Sequence, residues 1–147
     1  MKAVIQRVRR AQVEAGGEIV GSIGPGLLVL LAIERGDADP QAAYFADKIP
    51  RMRVFDDPEG RMNRTLEESG GEVLLVSQFT LAGRLEKGRR PSFTDAAPPE
   101  EARRLYLQVA ERMRASGVRV ATGRFQDHML VELVNDGPVT FILERRP

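Results

Sequence analysis

The sequence predicts an α+β protein: a curved, barrel-like sheet, mostly antiparallel or mixed, with two main helices packed against it. Three observations carry this expectation. Strand-like runs outnumber helical ones. They do not alternate strictly with helices, which disfavours a doubly wound parallel sheet. Two runs, Leu27 to Ile33 and Glu72 to Leu81, are strongly apolar, as central strands buried on both faces are. With 147 residues, one domain spanning 1–147 is expected.

In chain order, residues 1–8 alternate as a strand, with Val4 and Val8 on one face and Ala3, Ile5 and Arg7 on the other. Gln12 to Ile23 reads as a hairpin about Gly16-Gly17, whose residues tolerate the positive φ of a tight turn. Gly24-Pro25-Gly26 is a second turn before the apolar strand Leu27 to Ile33. Asp39 as N-cap and Pro40 at the first helical position start a helix, expected to run to about Lys48 because Pro50 opposes continuation. Arg51 to Phe55 reads as a short strand and Asp57-Pro58-Glu59-Gly60 as a turn. After the apolar strand Glu72 to Leu81 comes a polar loop, 82–97. Pro98-Pro99-Glu100-Glu101 then opens a second helix, with acids where the helix dipole favours them. Ala102, Leu105, Val109 and Met113 form its apolar stripe and Gly117 closes it. Three strand-like runs follow: Val118 to Phe125, His128 to Asn135 and Val139 to Glu144.

Composition narrows the chemistry. There is no cysteine, which excludes disulfides, thiol nucleophiles and Cys-ligated clusters and fits a cytoplasmic setting. The one histidine, His128, excludes multi-His metal sites; no metal or other cofactor is expected. The longest apolar run, seven residues, is far short of the roughly 20 a membrane span needs. Net charge is +1, so this is no globally basic nucleic-acid coat, although 19 of its 22 cations are Arg.

Candidate chemistry collects in two places. Ser77, Gln78 and Thr80 follow an apolar strand; they read either as ordinary polar strand positions or as hydroxyls and an amide held rigidly at a strand end. The next loop carries Arg84, Lys87, Arg89 and Arg90 against Glu86; it is either a solvated charged loop or a phosphate grip. Arg7, Arg9 and Arg10 form a weaker basic cluster. His128 beside Asp127 is the sole candidate base for a Ser-His esterase. Gly137-Pro138 lies between two strand-like runs and reads as a turn, as does Gly24-Pro25.

Together these residues resemble the D-aminoacyl-tRNA deacylase family. The resemblance rests on Ser77-Gln78-Phe79-Thr80-Leu81, then Gly88-Arg89-Arg90-Pro91-Ser92-Phe93 with Asp95-Ala96-Ala97-Pro98-Pro99, then Val134-Asn135-Asp136-Gly137-Pro138-Val139-Thr140. Ala3 to Val8, Ile23 to Leu28 and Thr122-Gly123-Arg124-Phe125 extend it, in order, over essentially the whole chain. It departs from the family's pattern at Leu81 to Arg84, at His128 and at Pro50.

The resemblance implies a homodimer that hydrolyses the ester between a D-amino acid, or glycine, and the acceptor end of tRNA. Ser77, Gln78, Phe79 and Thr80 would form the catalytic set, with backbone N–H groups near Phe79 and Thr80 holding the oxyanion. Gly137 and Pro138, joined by a cis bond, would enter the partner's pocket and reject L-amino acids by leaving no room for their side chain. Water would be activated by the 2′-hydroxyl of the terminal ribose, or Thr80 would attack directly. Arg7, Lys87, Arg89 and Arg90 are the cations expected on tRNA. The alternative is a non-catalytic RNA- or DNA-binding module using the basic loop.

Overall fold

A computed structural model describes residues Met1–Pro147. The sheet is organised around β1 (Lys2–Ala15), which turns at Gly16-Gly17, both with positive φ, into its antiparallel neighbour β2 (Glu18–Ile23). After the bend at Gly24-Pro25, β3 (Gly26–Ala32) pairs antiparallel with the first half of β1. The next strands, β6 (Glu72–Ser77) and β7 (Val120–Thr122), add in parallel, giving the order β2-β1-β3-β6-β7. β2 comes up against β7 at Gly21 and Thr122, so the sheet nearly closes. The last strand, β8 (Leu130–Glu144), pairs antiparallel with β1 alone and leaves its other edge open.

Both faces of the sheet are covered, which is why β3 and residues 73–76 of β6 are apolar. Leu27, Val29, Leu31, Val73 and Leu75 face the helices α1 (Asp39–Arg51) and α3 (Pro99–Ala115), in one core with Phe45, Ile49, Leu105 and Met113. Leu28, Leu74 and Val76 face the inside of the curved sheet, in a second core with Val8, Val13 and Ile23. β1 changes register against β8 between Val8 and Arg10. Beyond that irregularity its odd residues Ala11 and Val13 join the inner core, whereas Ala3 and Ile5 lie in the helix-side one.

Several elements differ from the sequence reading. The N-cap of α1 is Ala38, not Asp39, and its N–H is received by the Gln41 side chain at 2.9 Å. The helix passes through Pro50 to Arg51, because a proline in the final turn removes a single hydrogen bond before the helix ends anyway. What read as a strand at 51–55 shrinks to β4 (Phe55–Asp56), paired with an unpredicted β5 (Met62–Arg64). A one-turn α2 (Leu66–Ser69) was also missed, although Thr65 and Glu68 form a capping box. β6 stops at Ser77, not Leu81; Phe79–Ala82 is a 3-10 turn. The run at 118–125 contracts to the three residues of β7. The last two predicted strands are one strand, β8, running through Gly137-Pro138. No helix is long and apolar enough to cross a membrane.

Candidate active site

The end of β6 is where the candidate chemistry meets open space. Ser77 pairs with Leu31 at the last position of the parallel β3–β6 ladder, and the Gln78 N–H still reaches the Leu31 carbonyl at 2.8 Å. The backbone then winds into the 3-10 turn, whose first bond runs from the Leu81 N–H to the Gln78 carbonyl. The N–H groups of Phe79 and Thr80 precede that bond and are the orphan donors of the turn. The Gln78 amide Nε2 donates to the Thr80 hydroxyl oxygen. Ser77 and Gln78 are half-buried; Phe79 and Thr80 are exposed.

Ser77, Gln78 and Phe79 border a cavity of about 540 Å³ with mostly apolar walls. Its other walls come from segments to which the sequence reading gave no part in the chemistry, although Ala96, Ala97 and Phe125 belong to the stretches that carry the family resemblance. Ile33 leaves β3; Ala96 and Ala97 precede α3; Phe125, Gln126 and Met129 follow β7. Gln126 has φ +60°, a conformation costly for a side-chain-bearing residue and carrying no sequence signal. Tyr106 on α3 supports this wall from behind. Its hydroxyl donates to the Leu75 carbonyl at 2.8 Å and its ring lies 5.7 Å from that of Phe125. Burial pushes its phenol up to about 12. A larger cleft of about 710 Å³ lies between the C-terminal ends of α1 and α3 and α2, at the opposite end of β6. It holds none of the predicted site residues.

The basic loop folds back over the site. Arg84 and Ser92 exchange backbone hydrogen bonds at 2.8 and 3.0 Å, and the Phe93 ring stands edge-on to Phe79 at 5.1 Å. Asp95 receives the Arg84 guanidinium, and that bond holds Arg84 firmly charged. Lys87, Arg89 and Arg90 are exposed at the tip and form no ion pair. His128 lines the cavity at its rim, but its ring makes no hydrogen bond to Ser77 or Thr80. No three His, Asp or Glu side chains are grouped so as to hold a metal ion.

Arg7 is a correction. It is 8% exposed, and its guanidinium donates to the carbonyls of Val54 at 2.8 Å and Asp136 at 2.9 Å and to the Asp56 carboxylate at 3.0 Å. It is committed inside the fold rather than displayed to a polyanion, because its pleat face is the one covered by the β4 region. Beside it, β8 bulges outward. Val8 pairs with Asn135 and Gln6 with Thr140, so residues 136–139 stand opposite Arg7 alone. The Gly137-Pro138 peptide in this bulge is cis, and both residues are exposed. Asn135 Nδ2 ties the bulge down, donating to the carbonyls of Arg7 at 2.9 Å and Val139 at 3.3 Å.

The bulge and the strand-end site do not meet within one chain. Arg7 is level with Leu27 and Val73, four residues along the strands from Ser77. At about 3.3 Å per residue and 4.8 Å per strand, that is roughly 13 Å along and 14 Å across the sheet.

Hydroxyls, an amide and backbone donors thus stand together beside an apolar cavity, an arrangement that could receive an acyl ester. The comparisons with known proteins make this specific. The family model described as D-Tyr-tRNA(Tyr) deacylase matches residues 4–144. A D-aminoacyl-tRNA deacylase of Symbiobacterium thermophilum is 57% identical over 144 residues, 98% of this chain and 95% of its own. One of Pelobacter propionicus is 59% identical over 145 residues, 99% and 100% of the two chains. The solved structure of a c-Myc DNA unwinding element binding protein superposes with a TM-score of 0.93 at 40% identity over all of both chains. That of a probable eukaryotic D-amino acid tRNA deacylase gives 0.83 at 20% identity over 97% of each, a likeness of fold. The chain belongs to the D-Tyr-tRNA(Tyr) deacylase family. It is a hydrolase acting on D-aminoacyl-tRNA.

Proposed function

We propose that the cavity at the end of β6 receives the acceptor end of a D-aminoacyl-tRNA, or of tRNA mischarged with glycine, and releases free amino acid and tRNA. The observation that carries this is the 3-10 turn that begins at Phe79, at the border of an apolar cavity, and leaves the first N–H groups, of Phe79 and Thr80, ahead of its first hydrogen bond. Water adds to the ester carbonyl, these two donors hold the resulting oxyanion, and the bond to the ribose oxygen breaks. One such donor is worth about 10²–10³ in rate. The contact that Thr80 makes is with Gln78 Nε2, a donor that cannot take the hydroxyl's proton. This supports activation of water by the substrate's own 2′-hydroxyl over attack by Thr80.

The working unit is a homodimer in the cytoplasm. Two features support the dimer: the open edge of β8, with Leu130, Phe141 and Ile142 exposed, and the outward bulge at Gly137-Pro138, remote from its own chain's Ser77. A second copy would bring that bulge to the cavity, where its backbone carbonyls face the substrate's amino group and exclude an L side chain. Glycine, lacking one, enters. Lys87, Arg89 and Arg90 would meet tRNA phosphates nearby.

The test is incubation with D-Tyr-tRNA and L-Tyr-tRNA. Selective loss of the D ester is expected; loss of neither, or equal loss of both, refutes the proposal. A second reading, a nucleic-acid-binding module without turnover, is favoured by the free cations of the loop and by the DNA-element name of the 40%-identical structure. It predicts salt-dependent binding and no hydrolysis in the same assay.

A further inference from the structure

The basic loop sets an aromatic ring against both ends of the turn that follows β6. The Phe93 ring stands edge-on to Phe79, the first residue of the turn, at 5.1 Å and 61° between planes. It also covers Gly83, the residue that closes the turn. A Cβ built on Gly83 would lie 2.9 Å from Phe93 Cε1 and 3.3 Å from Cδ1. Gly83 has φ −70° and ψ 137°, angles that any residue adopts, so what its missing side chain provides is space. The same Cβ would lie 2.9 Å from the Thr80 carbonyl oxygen, which accepts the Gly83 N–H at 3.0 Å in the closing bond of the turn.

Phe93 is itself held on both sides. Before it, Ser92 is tied to Arg84 by the paired backbone bonds. After it, Arg35 Nε donates to the Thr94 carbonyl at 2.6 Å and the Arg35 N–H to the Asp95 carbonyl at 2.8 Å. The Phe93 carbonyl accepts the Ala96 N–H at 3.1 Å. Arg35 lies just past the end of β3, so these bonds fix the ring to the frame of the sheet. The turn has less support of its own. Within it, the Leu81 N–H meets the Gln78 carbonyl at 3.2 Å and the Gly83 N–H meets that of Thr80. Bonds of the 3-10 type have poor geometry, so so short a turn takes its exact position from what packs on it.

We propose that Phe93 is a positioning residue for the deacylase reaction: its ring, seated on Gly83 and against Phe79, holds the Phe79–Ala82 turn where the leading N–H groups meet the oxyanion. This role rests on the reading of that turn as the oxyanion holder. Such donors act within about 2.7–3.1 Å of the oxyanion. A displacement of about 1 Å costs on the order of 10²-fold in rate. Phe93 meets the substrate through no reacting atom, so its loss falls on kcat and leaves KM nearly alone. It belongs to neither hydrophobic core and is 37% exposed, so the fold does not depend on it.

The experiment measures kcat and KM on D-Tyr-tRNA for the parent, Phe93→Leu, Phe93→Tyr and Gly83→Ala, and follows amide hydrogen exchange at Gly83 and Gln78 by NMR. Phe93→Leu should lower kcat at least about tenfold with KM within about twofold of the parent. It should speed exchange of the Gly83 N–H about tenfold and leave the Gln78 N–H, bonded to the Leu31 carbonyl, as it was. Phe93→Tyr keeps the ring and should keep most of the parent kcat. Gly83→Ala displaces the ring and should resemble Phe93→Leu; it carries the same two readings if Phe93→Leu is not recovered folded. Unchanged Gly83 exchange in Phe93→Leu overturns the clamp. Faster exchange with an unchanged kcat overturns the reading of the turn as oxyanion holder, and this inference with it. A rise in KM alone makes Phe93 a binding contact and overturns the positioning role. A Phe93→Tyr variant as slow as Phe93→Leu overturns the assignment to the ring.

Discussion

Replacing Gly137 by alanine puts a methyl group where the bulge has no space. A Cβ built there lies 2.3 Å from Asn135 Oδ1 and 2.8 Å from the Val139 nitrogen. The second neighbour is backbone, so relief has to come from moving Asn135 or the bulge itself. Moving Asn135 sacrifices its two hydrogen bonds to the Arg7 and Val139 carbonyls. At about 1 kcal/mol net for each bond, Gly137→Ala should cost about 1–3 kcal/mol. For a chain of this length that is a fall in melting temperature on the order of 5 °C. If the bulge supplies the carbonyls that exclude L side chains, its displacement should also narrow the preference for D-Tyr-tRNA over L-Tyr-tRNA about tenfold, equivalent to about 1.4 kcal/mol. Thermal unfolding and initial rates on both esters measure the two effects. A Gly137→Ala variant that melts like the parent and keeps the full preference for the D ester would refute this reasoning at both levels.

Four further outcomes are expected. Thr80→Ala should retain substantial activity in single-turnover hydrolysis of D-Tyr-tRNA; complete loss would make Thr80 the nucleophile. His128→Ala should leave that rate nearly unchanged, whereas a Ser-His esterase would lose it entirely. Tyr106 has a folded-state phenol near 12 against 10 in a free chain, so its contribution is fully present below pH 10 and declines as pH rises toward 12. That window spans about 3 kcal/mol. Unfolding in urea at pH 9 and 11 should therefore show a steeper loss of stability for the parent than for Tyr106→Phe. Arg89→Ala with Arg90→Ala should flatten the dependence of KM on salt with little change in kcat, because exposed phosphate contacts act through counterion release; an unchanged slope assigns the loop to solvent.

The sequence revealed the sheet better than its ends. β3 and residues 73–76 of β6 announce themselves because both faces are buried and the side chains there are apolar. The hairpin at Gly16-Gly17 is legible because only such residues take its backbone angles cheaply. The end of β6 was not legible: Phe79, Thr80 and Leu81 are good strand formers, and the parallel pairing with β3 that ends at Leu31 is a long-range fact. The same holds for β8. Gly137-Pro138 is locally a turn, but β1 is 14 residues long and pairs with what lies on both sides of it, so one strand runs through a bulge.

Arg7 shows where charge misleads. Three arginines close together look like a basic patch, yet the irregularity of β1 between Val8 and Arg10 interrupts the pleat's alternation, so Arg7 and Arg9, two residues apart, do not share an environment. Arg7 points to the covered face, while Arg9, at 76% side-chain exposure, stays in solvent. The buried guanidinium binds the carbonyl of Asp136 on one side and that of Val54 on the other, so one residue fastens the base of the bulge to the β4 region. A cation chosen for phosphate would need its donors free, and here all the reach of the side chain is spent on carbonyls and Asp56. The parts of the site thus divide by physical kind. On the proposed function the strand end would supply backbone donors and the bulge of a second copy backbone carbonyls, while Arg7, Asn135 and Tyr106 hold that backbone in position. If the proposal holds, residue chemistry alone leaves Ser77, Gln78 and Thr80 ambiguous because the groups that act would be main-chain atoms that every residue type carries.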